Sequence, residues 1–98
     1  MFTIEWARVI DRIRRAIRDQ RYRFSFHAIE EMAEDELESE DVESIILTGG
    51  VAREFTRDPR GRRYEVIGET ISGRRACVVC RFLPTSVLLI ITVYAMEE

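Results

Sequence analysis

Apolar side chains at Trp6, Val9, Ile10, Ile13, Ala16 and Ile17 recur at helical spacing and predict an amphipathic helix over about residues 4–19. Thr3 can cap its start, Glu5 suits the positive end of the helix dipole, and Arg8, Arg12 and Arg15 take the polar face. Ser25 reads as the cap of a second helix over about 26–37, with Phe24 stapled onto Ile29 and with Ile29, Met32, Ala33 and Leu37 as its buried stripe. A shorter third helix follows over about 40–48. Ser39 caps it, Val42, Ile45 and Ile46 face inward, and the glycines at 49 and 50 end it.

From Val51 the pattern changes to alternation. Turn signals at 58–61 (DPRG), 72–73 (SG) and 83–86 (LPTS) divide the remainder into strands over about 51–58, 62–70, 74–82 and 87–95. Short links join antiparallel neighbours. The expected fold is therefore α+β, with two long helices and one short one packed on one face of a four-stranded antiparallel meander, in a single domain spanning 1–98.

Register in the last hairpin decides what the sheet shows to solvent. A two- or four-residue loop pairs Arg81 with Leu88 and Arg75 with Tyr94, whereas a three-residue loop reverses the parity. Under the first pairing, Ala76, Val78, Cys80, Phe82, Val87, Leu89, Ile91 and Val93 lie against the helices. The opposite face then carries Arg75, Cys77, Val79, Arg81, Leu88, Ile90, Thr92 and Tyr94, too polar for a core and too apolar for idle surface, which marks it as a contact face. In the second of these strands Tyr64 and Val66 are expected inward.

Composition narrows the classes. No apolar run approaches the roughly 20 residues of a membrane helix, and the opening MFTIEWARVIDRIRR lacks the order of a signal peptide, so a cytoplasmic protein with no membrane partner is expected. The net charge of -3 hides a partition. Residues 1–23 set seven Arg against three acids, residues 24–50 hold nine acids and no Arg, and residues 51–81 set eight Arg against four acids. An acidic total argues against nucleic-acid binding, while the arginine-rich third keeps that reading alive; the partner then expected is RNA and not DNA. All fifteen basic residues are arginine, whose fork pairs with phosphate or carboxylate in a bidentate way that lysine cannot.

Three sets of residues carry candidate chemistry. Cys77 and Cys80 spell CxxC, yet residues three apart on a strand point to opposite faces, and no second Cys or His pair completes a zinc site; plain cysteines, with no metal and no cofactor, are expected. His27, the only histidine, lies off the apolar stripe close to Glu31 and Glu34 and reads either as a general acid or base or as a surface residue of the first helical turn. Arginines gather around the turns. Arg75 and Arg81 sit in a strand among apolar neighbours, with Thr92 and Tyr94 across the hairpin, and there they can hold phosphate; Arg74, Arg63 and Arg53 are expected to add to nucleic-acid binding. Tyr94 can stack on an unpaired base.

The run SFHAIEEMAEDELESEDVESIILTGG, followed by glycine-bearing strands and a closing IITVY, resembles the domain-of-unknown-function 4258 family, small proteins grouped with the RelE-like and barnase-like ribonuclease fold. Ser25, His27, Ala28, Met32, Leu37, Asp41, Val42, Gly49 or Gly50, Thr92, Val93 and Tyr94 carry the resemblance. It implies a toxin, encoded beside a small antitoxin, that cuts RNA without a metal ion. His27, Thr92 and Tyr94 are the site residues it brings, to which the facing argument adds Arg81 and Arg75. Where the family commonly has arginine, this chain has Glu31, and where the family has arginine-glycine it has Asp35 and Glu36. The alternative is an inactive interaction module of the same fold that forms a homodimer or holds a protein partner.

Overall fold

The computed structural model describes residues 4–96, so the Thr3 cap falls outside the described residues. The elements run α1 (Ile4–Arg18), β1 (Tyr22–Phe24), α2 (Phe26–Glu34), α3 (Ser39–Thr48), β2 (Gly50–Phe55), β3 (Arg63–Glu69), β4 (Arg75–Phe82) and β5 (Leu88–Ala95). The α+β class holds. The sheet, however, has five strands in the order β1-β5-β4-β3-β2, with β1 parallel to β5 and the rest antiparallel.

The extra strand, β1, corrects the four-stranded antiparallel expectation. Three residues are too few to show alternation, and only a long-range partner makes them a strand. Tyr22 and Phe24 turn their rings to the core side, edge to face at 5.7 Å, and the Tyr22 hydroxyl donates to the Glu43 carboxylate of α3. Pairing with Leu88 to Ile90 satisfies the backbone of this short edge.

The second helix is shorter than expected and rolled about its axis. Ser25 caps it as predicted, accepting the Ala28 N–H at 3.0 Å, but it ends at Glu34, and Glu36 has a left-handed φ of 57°. Ala28 and Met32 are the buried side chains, while Ile29 is 52% exposed and Ala33 is exposed, which overturns the Ile29/Ala33 stripe. The cause is position: α2 runs beside the free edge of β5 rather than flat on the sheet, so it buries a narrow strip. At α3 the cap is Glu38, with Asp41 completing a reciprocal capping box, and Ser39 is the first helical residue.

A bulge in β5 revises the register of the last hairpin. Next to the turn Phe82 pairs with Leu88 and Arg81 with Leu89; beyond the irregularity between Val79 and Cys80, Val79 pairs with Thr92 and Cys77 with Tyr94. The extra residue is Ile91. Leu88 and Ile90 therefore join Val93, Ala76, Val78 and Cys80 in the core, and Leu89 leaves it. Thr92 and Tyr94 keep the facing expected of them, and Tyr64 and Val66 are buried.

Two backbone-to-backbone approaches lock α3 to the sheet. A Cβ on Gly68 would lie 2.1 Å from the Ile45 carbonyl oxygen, and one on Gly49 would lie 2.3 Å from the Ile67 carbonyl oxygen. Arg14 of α1 then serves the carbonyls at the end of α3, donating to Gly49 at 2.7 Å and to Ile46 at 3.4 Å. One apolar cluster results, between the helices and one face of the sheet.

Candidate functional site on the open face of the sheet

The other face of the sheet is left without a helix. Along β4 and β5 it shows Arg75, Cys77, Val79 and Arg81 beside Thr92 and Tyr94, and along β3 and β2 it shows Glu65 and Arg53. The free edge of this face at β5 is lined by α2 through its side chains. The backbone and hydroxyl of Ser25 donate to the Ile90 and Ile91 carbonyls, Glu31 accepts the Val93 N–H at 3.0 Å, and Asp35 accepts the Ala95 N–H at 2.8 Å. Two carboxylates one helical turn apart thus continue the sheet's hydrogen bonding past the end of β1. The acids at 31 and 35 seal a strand edge.

His27 belongs to the same row. Its Nε2 lies 3.3 Å from the Glu31 oxygen that accepts the Val93 N–H, so the ring and the β5 backbone between Thr92 and Tyr94 share one acceptor. At about 100° per residue, the helix surface runs from Ala28 and Met32, which face the core, through Glu31 and Asp35, which face the strand edge, to His27. The next direction past the edge is the open side of the sheet, where Thr92 and Tyr94 project. The imidazole is two-thirds exposed there, and its partner carboxylate is one-fifth exposed.

Tyr94 and Cys77 form a second part of the site. Tyr94 lies directly across from Cys77 in the β4–β5 ladder, within reach of its thiol, and Glu65, on the neighbouring β3, has its carboxylate 3.8 Å from Arg53. This line crosses four strands. The bond to Cys77, with the thiol's charge and then burial behind it, pushes the Tyr94 phenol up to about 12, so it stays protonated at neutral pH.

The arginines separate into structural and free groups. Arg74 donates to the Asp35 carbonyl at 2.7 Å and serves the end of α2. Arg63 lies 3.3 Å from Asp58 and 4.9 Å over the Phe55 ring, and Arg53 pairs with Glu65 and stacks 4.7 Å over the same ring, so both expected RNA contacts are already engaged within the fold. Arg75 and Arg81 have no ion pair or hydrogen-bonded side-chain partner among the described residues. They do not converge. Six residues along one strand put their Cα atoms about 20 Å apart, with Arg81 diagonal to Thr92 and Arg75 diagonal to Tyr94. A clamp of both on one phosphate is therefore ruled out.

Glu31, Asp35 and Cys77 were not assigned roles from the sequence. The first two had a signal, since 27, 31 and 35 repeat at i, i+4 directly after a capping serine; the third did not.

A family model for Domain of unknown function (DUF4258) matches residues 24–95. The chain belongs to that family. The match takes in β1's last residue, α2, α3 and the strands, and leaves α1 outside it. No curated protein and no solved structure matches this DUF4258 chain. Among its described residues no helix is long and apolar enough to cross a membrane, and no three His, Cys, Asp or Glu side chains cluster as metal ligands do.

The CxxC thiols are inert in this setting. Cys80 lies in the core and Cys77 on the other side of the sheet, both fully buried, and burial is the main cause that pushes Cys77 up to about 11 and Cys80 to about 12. Both shifts favour the protonated fold: their stabilisation is whole below the ordinary thiol value of 9.0 and is lost as pH climbs through the raised values. Iodoacetamide at pH 8 is expected to leave both thiols intact in the native protein and to label both in urea; rapid native labelling of either would contradict this burial.

Proposed function

We infer that this DUF4258 protein is a metal-independent endoribonuclease, the toxin of a toxin-antitoxin pair, acting on single-stranded or messenger RNA at the His27/Thr92/Tyr94 edge of the open sheet face. One observation carries the reading. Of the residues that bear the family resemblance, Ser25, Ala28, Met32, Leu37, Asp41, Val42, Val93 and Gly49 cap, pack or bond within the fold, whereas His27 holds its ring in solvent 3.3 Å from the Glu31 carboxylate, which accepts the Val93 N–H between Thr92 and Tyr94.

The chemistry needs a base, an acid and cationic support. Glu31 takes the Nε2 proton side of the imidazole, which leaves Nδ1 to remove the proton of a ribose 2′-hydroxyl. The 2′-oxygen then bonds to the adjacent phosphorus, the bond from phosphorus to the 5′-oxygen breaks, and the leaving oxygen takes a proton from the Tyr94 phenol. Imidazolium and phenolate return to their starting states by exchange with water. Arg75 and Arg81 each reach a phosphate at their own end of the Thr92/Tyr94 pair, so one supports the reacting group and the other a flanking one.

Purified protein incubated with single-stranded RNA in EDTA is expected to give 2′,3′-cyclic phosphate and 5′-hydroxyl ends. Intact RNA, or cleavage that disappears with EDTA, would refute the reading. A non-catalytic module that holds a protein partner is favoured by Phe26, 87% exposed, and its neighbour Ile29 on the outer side of α2. Its signature is binding to a neighbour-encoded protein that salt does not weaken, with no RNA cleaved.

A further inference from the structure

A second cluster of arginines lies away from the open face, at the end of the sheet that holds the β4–β5 turn. Arg12 and Arg15 of α1, Arg21 before β1, Phe82 at the end of β4 and Ser86 in the turn line a cleft of about 150 Å³. The strand length from Leu88 to Tyr94 separates it from the His27 site by about 20 Å. Three of these five residues precede the segment that the family model matches.

All three arginines are exposed, and one guanidinium is stacked on a ring. Arg12 and Arg15 share a helix face at i, i+3, and the Arg12 guanidinium lies 4.4 Å over the Phe82 ring. Arg21 is fixed by its backbone, which donates to the Ala16 carbonyl at 2.8 Å and accepts from the Leu88 N–H at 3.0 Å. Arg21 lies 3.4 Å from Asp19, and that pair is about half exposed; Arg12 and Arg15 have no ion pair among the described residues. Three like charges around one cleft repel each other unless an anion sits between them.

Ser86 supplies an independent sign. Its φ of 71° is left-handed, a conformation glycine adopts without strain and serine does not. Glycine would be easier on the turn there, whereas the serine that lines the cleft adds a hydroxyl.

The volume decides the class of occupant. Pockets for drug-sized ligands run about 300 to 1,000 Å³, so this cleft has room for a compact oxyanion and not for a whole nucleotide. We propose that Arg12, Arg15, Arg21 and Ser86 form a phosphate site, read through guanidinium forks and one hydroxyl, separate from the open-face site and independent of the ribonuclease reading.

The test is a titration of the full-length protein with inorganic phosphate in chloride buffer, followed by amide chemical shifts. Saturable changes are expected at residues 12–21 and 82–88. Arg15→Gln is expected to weaken binding about tenfold, and Arg18→Gln, on the same helix but outside the cleft, to leave it unchanged. Ser86→Gly is expected to weaken binding while raising the melting temperature, a split that a merely structural serine would not produce. A second arm compares an oligoribonucleotide bearing a terminal phosphate with its terminal-hydroxyl twin: tighter binding of the first assigns the phosphate to an RNA end, and equal binding assigns it to free phosphate. Absence of saturation, or equal phosphate affinity in wild type, Arg15→Gln and Ser86→Gly, would overturn the proposal.

Discussion

His27→Ala is expected to slow RNA cleavage about 10²- to 10⁴-fold, the usual range for loss of a positioned acid or base. The ring is two-thirds exposed and lies 3.3 Å from a Glu31 oxygen, so the fold should be nearly unaffected, within about 0.5 kcal/mol for a surface substitution of this kind. Glu31→Ala behaves differently, because the same oxygen also accepts the Val93 N–H. Its loss leaves a part-buried donor unpaired and costs about 1 to 3 kcal/mol of stability in addition to activity. Glu31→Gln separates the two roles: the amide oxygen still accepts from Val93, while the charge behind the imidazole is gone, so cleavage falls and the melting temperature holds. Single-turnover cleavage measured beside thermal melts for the three variants checks this. Equal cleavage by His27→Ala and wild type would remove the histidine from the reaction.

Gly68→Ala is expected to be the most damaging small substitution in the fold. The new methyl would sit 2.1 Å from the Ile45 carbonyl oxygen and 2.9 Å from the Gly49 Cα, both backbone atoms that cannot swing away. Separating α3 from β3 to make room loosens Ile45, Ile46 and Val42, all fully buried, and the overpacking cost is about 3 kcal/mol. Gly50→Ala is the control, since its Cβ would meet nothing within 4 Å, and it should be neutral or stabilising by about 0.5 kcal/mol. Urea denaturation of the pair reads this as a lower midpoint for Gly68→Ala at an unchanged slope. Equal midpoints would mean that the helix and strand are not in backbone contact.

The helices were legible in the sequence because their signals are local. Ser25 caps α2 through its own hydroxyl, and the Ile10/Ile13/Ile17 stripe needs no partner to be recognised. What the sequence hid depends on distant contacts. β1 exists because Leu88 to Ile90 lie beside it, and three residues carry no period of their own. The Ile91 bulge shifts Leu88 and Ile90 into the core by inserting one residue into an apolar run, where every position is a plausible core position. The roll of α2 follows from its place at the sheet edge, where Glu31 and Asp35 are hydrogen-bond acceptors for β5.

Of the candidate site residues, the facing of Thr92 and Tyr94 on β5 was legible, and His27 is tied to that strand through Glu31; Arg75 and Arg81 lie at opposite ends of β4, and Arg74, Arg63 and Arg53 have partners within the fold. Charge counting could not distinguish these arginines, because their partners come from other elements: a helix end for Arg74, a loop carboxylate for Arg63 and a neighbouring strand for Arg53.

The central claim is that the histidine on α2 and the threonine and tyrosine on β5 serve one RNA-binding surface. An NMR titration with an oligoribonucleotide carrying 2′-methoxy groups, which binds and cannot react, tests it directly. The His27 ring proton and the Thr92 and Tyr94 amides should move together along one binding curve, with the Arg75 and Arg81 side chains moving at either end. Shifts confined to the β2–β3 loop or to the outer side of α2, with His27 unmoved at saturation, would contradict it.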